Sequence, residues 1–95
     1  MNTLFADCLI HLNPEIYGVE VADHLVMLNI AKGEYYDLDP VAADIWKRLA
    51  VAQTAAALRD QLVDAYEGAE EQIDADLQGF LADMLARGMI RVEAL

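Results

Sequence analysis

Two histidines, His11 and His24, and one cysteine, Cys8, are the side chains in this 95-residue sequence best suited to metal or nucleophilic chemistry. A protein metal site needs several ligands at short, repeated spacings. The histidines stand thirteen residues apart, and neither has a second His or a Cys at ligand spacing. Both read as surface or half-buried side chains, and no metal is expected. One cysteine cannot close an internal disulfide, and Cys8 reads as a small buried apolar residue. The chain has no serine, which removes Ser–His–Asp machinery. Its glycines stand singly at 18, 33, 68, 79 and 88, so no glycine-rich phosphate loop exists. Acidic residues such as Asp74, Asp76 and Asp83 fall at helical surface spacing and read as a solvated face. No catalysis and no cofactor are expected.

The stretch "LVMLNIAKGEYYDLDPVAADIW" is where structure is most clearly written. "IYGVEV" before it alternates, with Tyr17, Val19 and Val21 on one side and Ile16, Gly18 and Glu20 on the other. Ala22-Asp23-His24 makes a tight connection. "LVMLNI" is apolar on both faces, as a central strand would be. Gly33 suits a turn that needs positive φ, and "EYYDL" is a third strand. Tyr35 and Tyr36 must point to opposite faces. Leu38 shares a face with Tyr36, so Tyr36 is expected inward and Tyr35 outward.

The period then changes to that of helices. Asp39 before Pro40 is an N-cap followed by proline at the first helical position. Val41, Ile45, Trp46 and Leu49 form its expected buried face. Thr54 starts a second helix through Leu58, Leu62 and Tyr66, with Ala55 and Val63 beside them and Gly68 as its expected end. Ile73, Leu77, Phe80, Leu81, Met84 and Leu85 stripe a third, which Arg87 and Gly88 close. "MIRVEAL" reads as an extended tail, and the segment Cys8 to Leu12 as an irregular extended arm. The expectation is one α+β domain over 1–95, with residues 1–15 as an N-terminal arm and a three-stranded antiparallel sheet followed by three helices.

Composition limits the partners. Apolar residues make up 57% and charged residues 24%, and the net charge is −11. A polyanion needs a basic face, and the third helix with its lead-in sets Glu70, Glu71, Asp74, Asp76 and Asp83 against Arg87. A DNA-binding winged-helix regulator is therefore disfavoured, as is an anionic membrane surface. No run approaches the ~20 apolar residues of a membrane span. The N-terminus lacks a basic start and carries Asp7, so it is a poor signal peptide. With its single thiol, the chain reads as cytoplasmic. What remains is binding. A three-stranded sheet has two edges, and an open edge can accept an extended peptide or a second copy of the chain.

At this point the residues resemble a known family. The run "LVMLNIAKGEYYDLDPVAADIWKRL", the Thr-started "TAAALRDQLVDAY" and "IDADLQGFLADMLARGMIRV" together look like the PqqD-like family, also called the RiPP recognition element. The resemblance covers about Ile16 to Val92. It implies a winged helix-turn-helix-like fold and a non-catalytic adaptor. Such a protein binds the leader segment of a ribosomally made precursor peptide as an added antiparallel strand. A stand-alone copy with this "GEYYDLD" run looks most like the recognition component of lasso-peptide clusters, whose partner is a separate transglutaminase-like leader peptidase. The alternative inside the family is a peptide chaperone for a radical SAM enzyme, as in pyrroloquinoline quinone biosynthesis. Carried over by position, the peptide-binding residues are Glu34, Tyr35, Tyr36, Asp37 and Leu38 on the edge strand. Asp76, Leu77, Phe80, Asp83 and Met84 stand on the groove-facing helix. Asp76 and Asp83, two turns apart, would pair with basic leader residues. Two features depart from the family: "AVAQT" has Ala52 where a Gly or Pro is common, and the N-terminal arm has no clear counterpart.

Overall fold

The computed structural model describes residue 5 and residues 7–95. Residues 1–4 and residue 6 of the expected arm lie outside the described residues. Strands β2 (Ile16–Val21), β3 (His24–Asn29) and β4 (Glu34–Leu38) form an antiparallel sheet in the order β2-β3-β4. Helices α1 (Pro40–Arg48), α2 (Ala55–Ala65) and α3 (Glu70–Ala86) follow. The α+β arrangement is thus the one the periodicity indicates. β3 begins one residue earlier than expected, and Ile30 is exposed beyond it.

The arm is not irregular. β1 (Cys8–Leu12) pairs antiparallel with β5 (Ile90–Ala94), placing Ile10 opposite Val92. The arm and the tail are therefore each other's partners, and they form a second, two-stranded sheet. An isolated bridge from Ile10 to Gln53 ties β1 to the α1–α2 connection. Asn13 adds two bonds to the end of α3: its backbone N–H donates to Met89 O at 3.0 Å and its amide to Gly88 O at 2.8 Å. Cys8 is half-buried on β1.

The helix ends follow their local chemistry. The Asp39 carboxylate accepts from Ala42 N at 2.9 Å, and the Thr54 hydroxyl accepts from Ala57 N at 3.1 Å. At the end of α3, Gly88 N–H donates to Leu85 O and Met89 N–H to Met84 O. This double closure needs a left-handed residue, and Gly88 supplies it with φ of 73°. Gly68 plays no such part, because α2 already ends at Tyr66 in an extended conformation.

One core joins the layers. Ile10, Met27, Leu49, Leu58, Leu77, Leu81, Met89 and Ile90 are essentially inaccessible. Trp46 is also buried, as its place on α1 indicates. Six residues of the expected apolar stripes are less buried than periodicity alone suggests, Ile73 and Phe80 among them as half-buried side chains. Val41, Tyr66 and Leu85 are exposed, and Val63 is only half-buried, because each lies at a helix end or on a stripe margin. Gly18 sits on the inner face of β2. A side chain there would meet Leu25 Cδ1 at 3.3 Å and Met27 Sδ at 3.4 Å, so the bare backbone lets β3's core residues pack over it.

The β2–β3 turn carries local strain. Ala22 has φ of 56°, in the left-handed region where a Cβ clashes. Two-residue hairpin turns place glycine, asparagine or aspartate at such positions. Ala22→Gly is expected to raise stability by about 0.5–1 kcal/mol, read by urea unfolding. A loss of stability would show that the turn does not hold this conformation in solution.

Candidate functional site

β4 is the outer strand of its sheet, so one side of its backbone has no partner strand. The hairpin geometry says which groups are open. A two-residue turn is closed by hydrogen bonding between its flanking residues, here Val21 and His24. Alternation along β3 then points the backbone of His24, Val26 and Leu28 toward β2, and that of Leu25, Met27 and Asn29 toward β4. Opposite the latter stand Leu38, Tyr36 and Glu34. Those three use their N–H and C=O groups in the ladder, while Tyr35 and Asp37 turn theirs to the open edge.

The side chains divide as the pleat requires. Tyr36 is half-buried against the core, and Tyr35 is 72% exposed. The Tyr36 hydroxyl donates to Glu34 Oε1 at 2.8 Å, and this bond raises its pKa above the ordinary phenol value. Arg87 crosses from the end of α3, placing its guanidinium carbon 4.5 Å from the centre of the Tyr36 ring. Arg87 Nε also donates to Asp83 Oδ1 at 3.0 Å, which raises the arginine's pKa further. Asp37 is tied to His24 at 2.9 Å on the outward face of the sheet.

Beyond the Leu38 end of β4 lies a cavity of about 320 Å³ between the three helices. Its walls are Val41, Ala42 and Ile45 of α1, Leu62 and Tyr66 from α2 and its cap, and Ile73, Leu77 and Phe80 of α3. Asp39 and Asp76 complete the lining. Asp76 accepts from the Gln72 amide at 2.9 Å. The Tyr66 hydroxyl donates to Asp44 Oδ2 at 2.6 Å, a bond that raises the phenol's pKa.

The structure brings Asp76, Leu77 and Phe80 to this cavity and Glu34 to Leu38 to the outer strand, where Tyr35 and Asp37 turn their backbone to the open edge and Leu38 is buried in the core. Asp83 stands apart from the cavity, with Arg87. Met84 and Leu77 are almost wholly buried in the core, and of the two Leu77 lines the cavity. Sequence reading missed the α1 and α2 walls, because they are contributed by ends of elements that meet only in the fold. It also placed Arg87 only in the helix-dipole role. The sequence-named site residues that reach the cavity are Asp76, Leu77 and Phe80, all from α3.

The sheet's other face is unexpectedly apolar. Tyr17, Val19, Val21 and Tyr35 are exposed there, with Val26 and Leu28 half-buried between them. β2 is the second open edge. Among the described residues, no group of three or more potential ligands could hold a metal ion, and no helix is long and apolar enough to cross a membrane.

Comparison with known proteins fits this geometry. Residues 24–90 match the family described as coenzyme PQQ synthesis protein D, PqqD. The chain belongs to the PqqD family. The match spans β3 through the start of β5, and so takes in both the open β4 edge and α3. Two solved structures share the PqqD-family fold seen here. One is TbiB1 in complex with the TbiA(beta) leader peptide, with a TM-score of 0.78 and 21% identity, covering 85% of this chain and 94% of that one. The other is lasso peptide synthetase B1 complexed with the leader peptide, with a TM-score of 0.77 and 27% identity, covering 86% and 96%. The search of curated proteins finds no match for this PqqD-family sequence.

Proposed function

We propose that this protein captures the leader segment of a ribosomally made precursor peptide and delivers it to a separate, transglutaminase-like leader peptidase. It would act without turnover of its own. The observation that carries this reading is the open backbone of Tyr35 and Asp37 on β4, beside an apolar cavity at the strand's end. An extended peptide would add as an antiparallel strand, its main chain bonding to those groups. Main-chain bonds give affinity with little regard to sequence, and the cavity would select an apolar side chain. Both similar structures are leader-peptide complexes by their descriptions, which supports the assignment.

Delivery calls for a second surface. The outward sheet face, with Tyr17, Val19 and Val21, lies away from the helices and leaves the groove clear. Its chemistry suits an apolar patch on the peptidase better than another copy of a chain with net charge −11. One other reading is a peptide chaperone for a radical SAM enzyme, and the matched family is one described by coenzyme PQQ synthesis. That reading uses the same groove with a different enzyme.

The test is a titration. The labelled leader half of the precursor encoded beside this gene is followed by anisotropy as the protein is added, with a scrambled leader and duplex DNA as controls. Saturable binding to the true leader alone is expected. Cleavage of the full precursor by the neighbouring peptidase should then need this protein. No binding to the leader sinks the proposal, and acceleration of a radical SAM enzyme in place of a peptidase selects the alternative. For a basic leader the association rate should fall as salt rises through the physiological range, because the chain's charge speeds encounter. A salt-independent rate would remove the steering role.

A further inference from the structure

The two ends of the groove between β4 and α3 differ in charge. At the Leu38 end, the cavity carries Asp39 and Asp76 and no basic side chain. At the Glu34 end, Arg87 lies over Tyr36, and Lys32 Nζ comes within 3.8 Å of the position a Gly88 side chain would take. Two of the chain's six basic residues are thus gathered at one end, where Glu34 and Asp83 offset them, so this end is close to neutral while the cavity end is acidic. Lys32 forms no ion pair among the described residues, although the chain has 17 acidic side chains. The Arg87 guanidinium has its plane fixed by the ring beneath it and by Asp83 at Nε. A guanidinium has five donors in a rigid fork, so the Nη groups can still meet a carboxylate.

The groove's length sets the register. From Glu34 to Asp39 the strand advances about 17 Å at roughly 3.4 Å per residue. From Asp76 to Arg87 the helix advances about 16 Å at roughly 1.5 Å per residue. The two walls match in length. A peptide added antiparallel to β4 enters at Asp39 and leaves at Glu34, so its C-terminal part passes Arg87.

We propose that Lys32 and Arg87 form a subsite for an acidic side chain of the bound peptide, roughly four to six residues C-terminal to the side chain that fills the apolar cavity. The proposal rests on the peptide-binding reading above and adds a charge and a direction to it. The positive pair would discriminate by attraction to a carboxylate and repulsion of a lysine.

The experiment is a scan of the same leader, each position replaced in turn by Glu and by Lys. Binding is measured to the wild type, to the double variant Lys32→Gln/Arg87→Gln, and to Lys32→Glu/Arg87→Glu. The apolar anchor identifies itself as the position where both charges abolish binding. Downstream of it, one position should favour Glu over Lys by about fivefold in the wild type. That preference should vanish in the Gln pair and reverse in the Glu pair. Thermal unfolding confirms that each variant is folded, and the Gln pair decides the matter if the Glu pair is not. If the parent leader binds and no position changes preference, the subsite is overturned while the peptide-binding reading stands. If the parent leader does not bind at all, that reading fails and the subsite falls with it.

Discussion

Tyr35→Pro is expected to weaken leader binding by roughly 50-fold while leaving the protein folded. The reasoning is about one N–H group. Tyr35 turns its backbone to the open edge of β4, so its N–H makes no bond within the sheet. Proline is tolerated in a strand where the lost N–H faces solvent. Stability should therefore change little. A peptide strand added at this edge would lose a main-chain bond and leave its own carbonyl unpartnered, together about 2–3 kcal/mol. Tyr36→Pro is the contrasting variant. Its N–H belongs to the ladder with β3, and its loss should unfold the hairpin. Tyr35→Ala keeps the backbone and should bind almost as well as the wild type. Equal binding by Tyr35→Pro and the wild type would show that the peptide does not use this edge.

Leu81→Ala should lower stability by about 3 kcal/mol, read as a shifted urea midpoint at unchanged slope. Leu81 is fully inaccessible at the centre of the α3 stripe. Truncation there leaves a cavity that the surrounding core cannot fully close. A domain of this size has about 5–15 kcal/mol in total, so the loss is large, and the melting temperature should fall by roughly 15 °C. Leu85, four residues on, is 36% exposed. Leu85→Ala should cost well under half as much. Equal losses at the two positions would mean that α3 does not sit on the core as described. Because α3 also lines the cavity, leader titration of the folded fraction would separate lost stability from lost binding.

The elements that local chemistry dictates were the legible ones. Asp39-Pro40, Thr54 and Gly88 mark helix ends through bonds made within a few residues, and the structure uses all three. The alternation of "IYGVEV" and "EYYDL" gives the bounds of β2 and β4 as observed. Which face of β2 turns inward was not legible. The more apolar trio, Tyr17, Val19 and Val21, faces out, and Gly18 faces in beneath Leu25 and Met27. Hydrophobicity could not reveal this, since the inward face works by having no side chain at Gly18. The pairing of β1 with β5 was equally hidden. It joins segments as distant as His11 and Glu93, which meet at 2.9 Å, and neither strand carries a local turn that announces the other. The cavity shares this origin. Val41, Leu62 and Ile73 belong to three different helices, and only the tertiary fold makes them one wall.

The outward sheet face also bears on how the protein behaves at high concentration. An apolar face next to an open β2 edge, with no proline or lysine on that strand, is a surface on which sheets stack. At neutral pH, mutual repulsion between copies carrying −11 charges opposes that stacking. As acid titrates the carboxylates toward the isoelectric point near 4.2, the repulsion fades while the apolar contact persists. The acidity of this chain therefore acts as its colloidal stabiliser, and a mildly acidic buffer is the condition under which it would come out of solution.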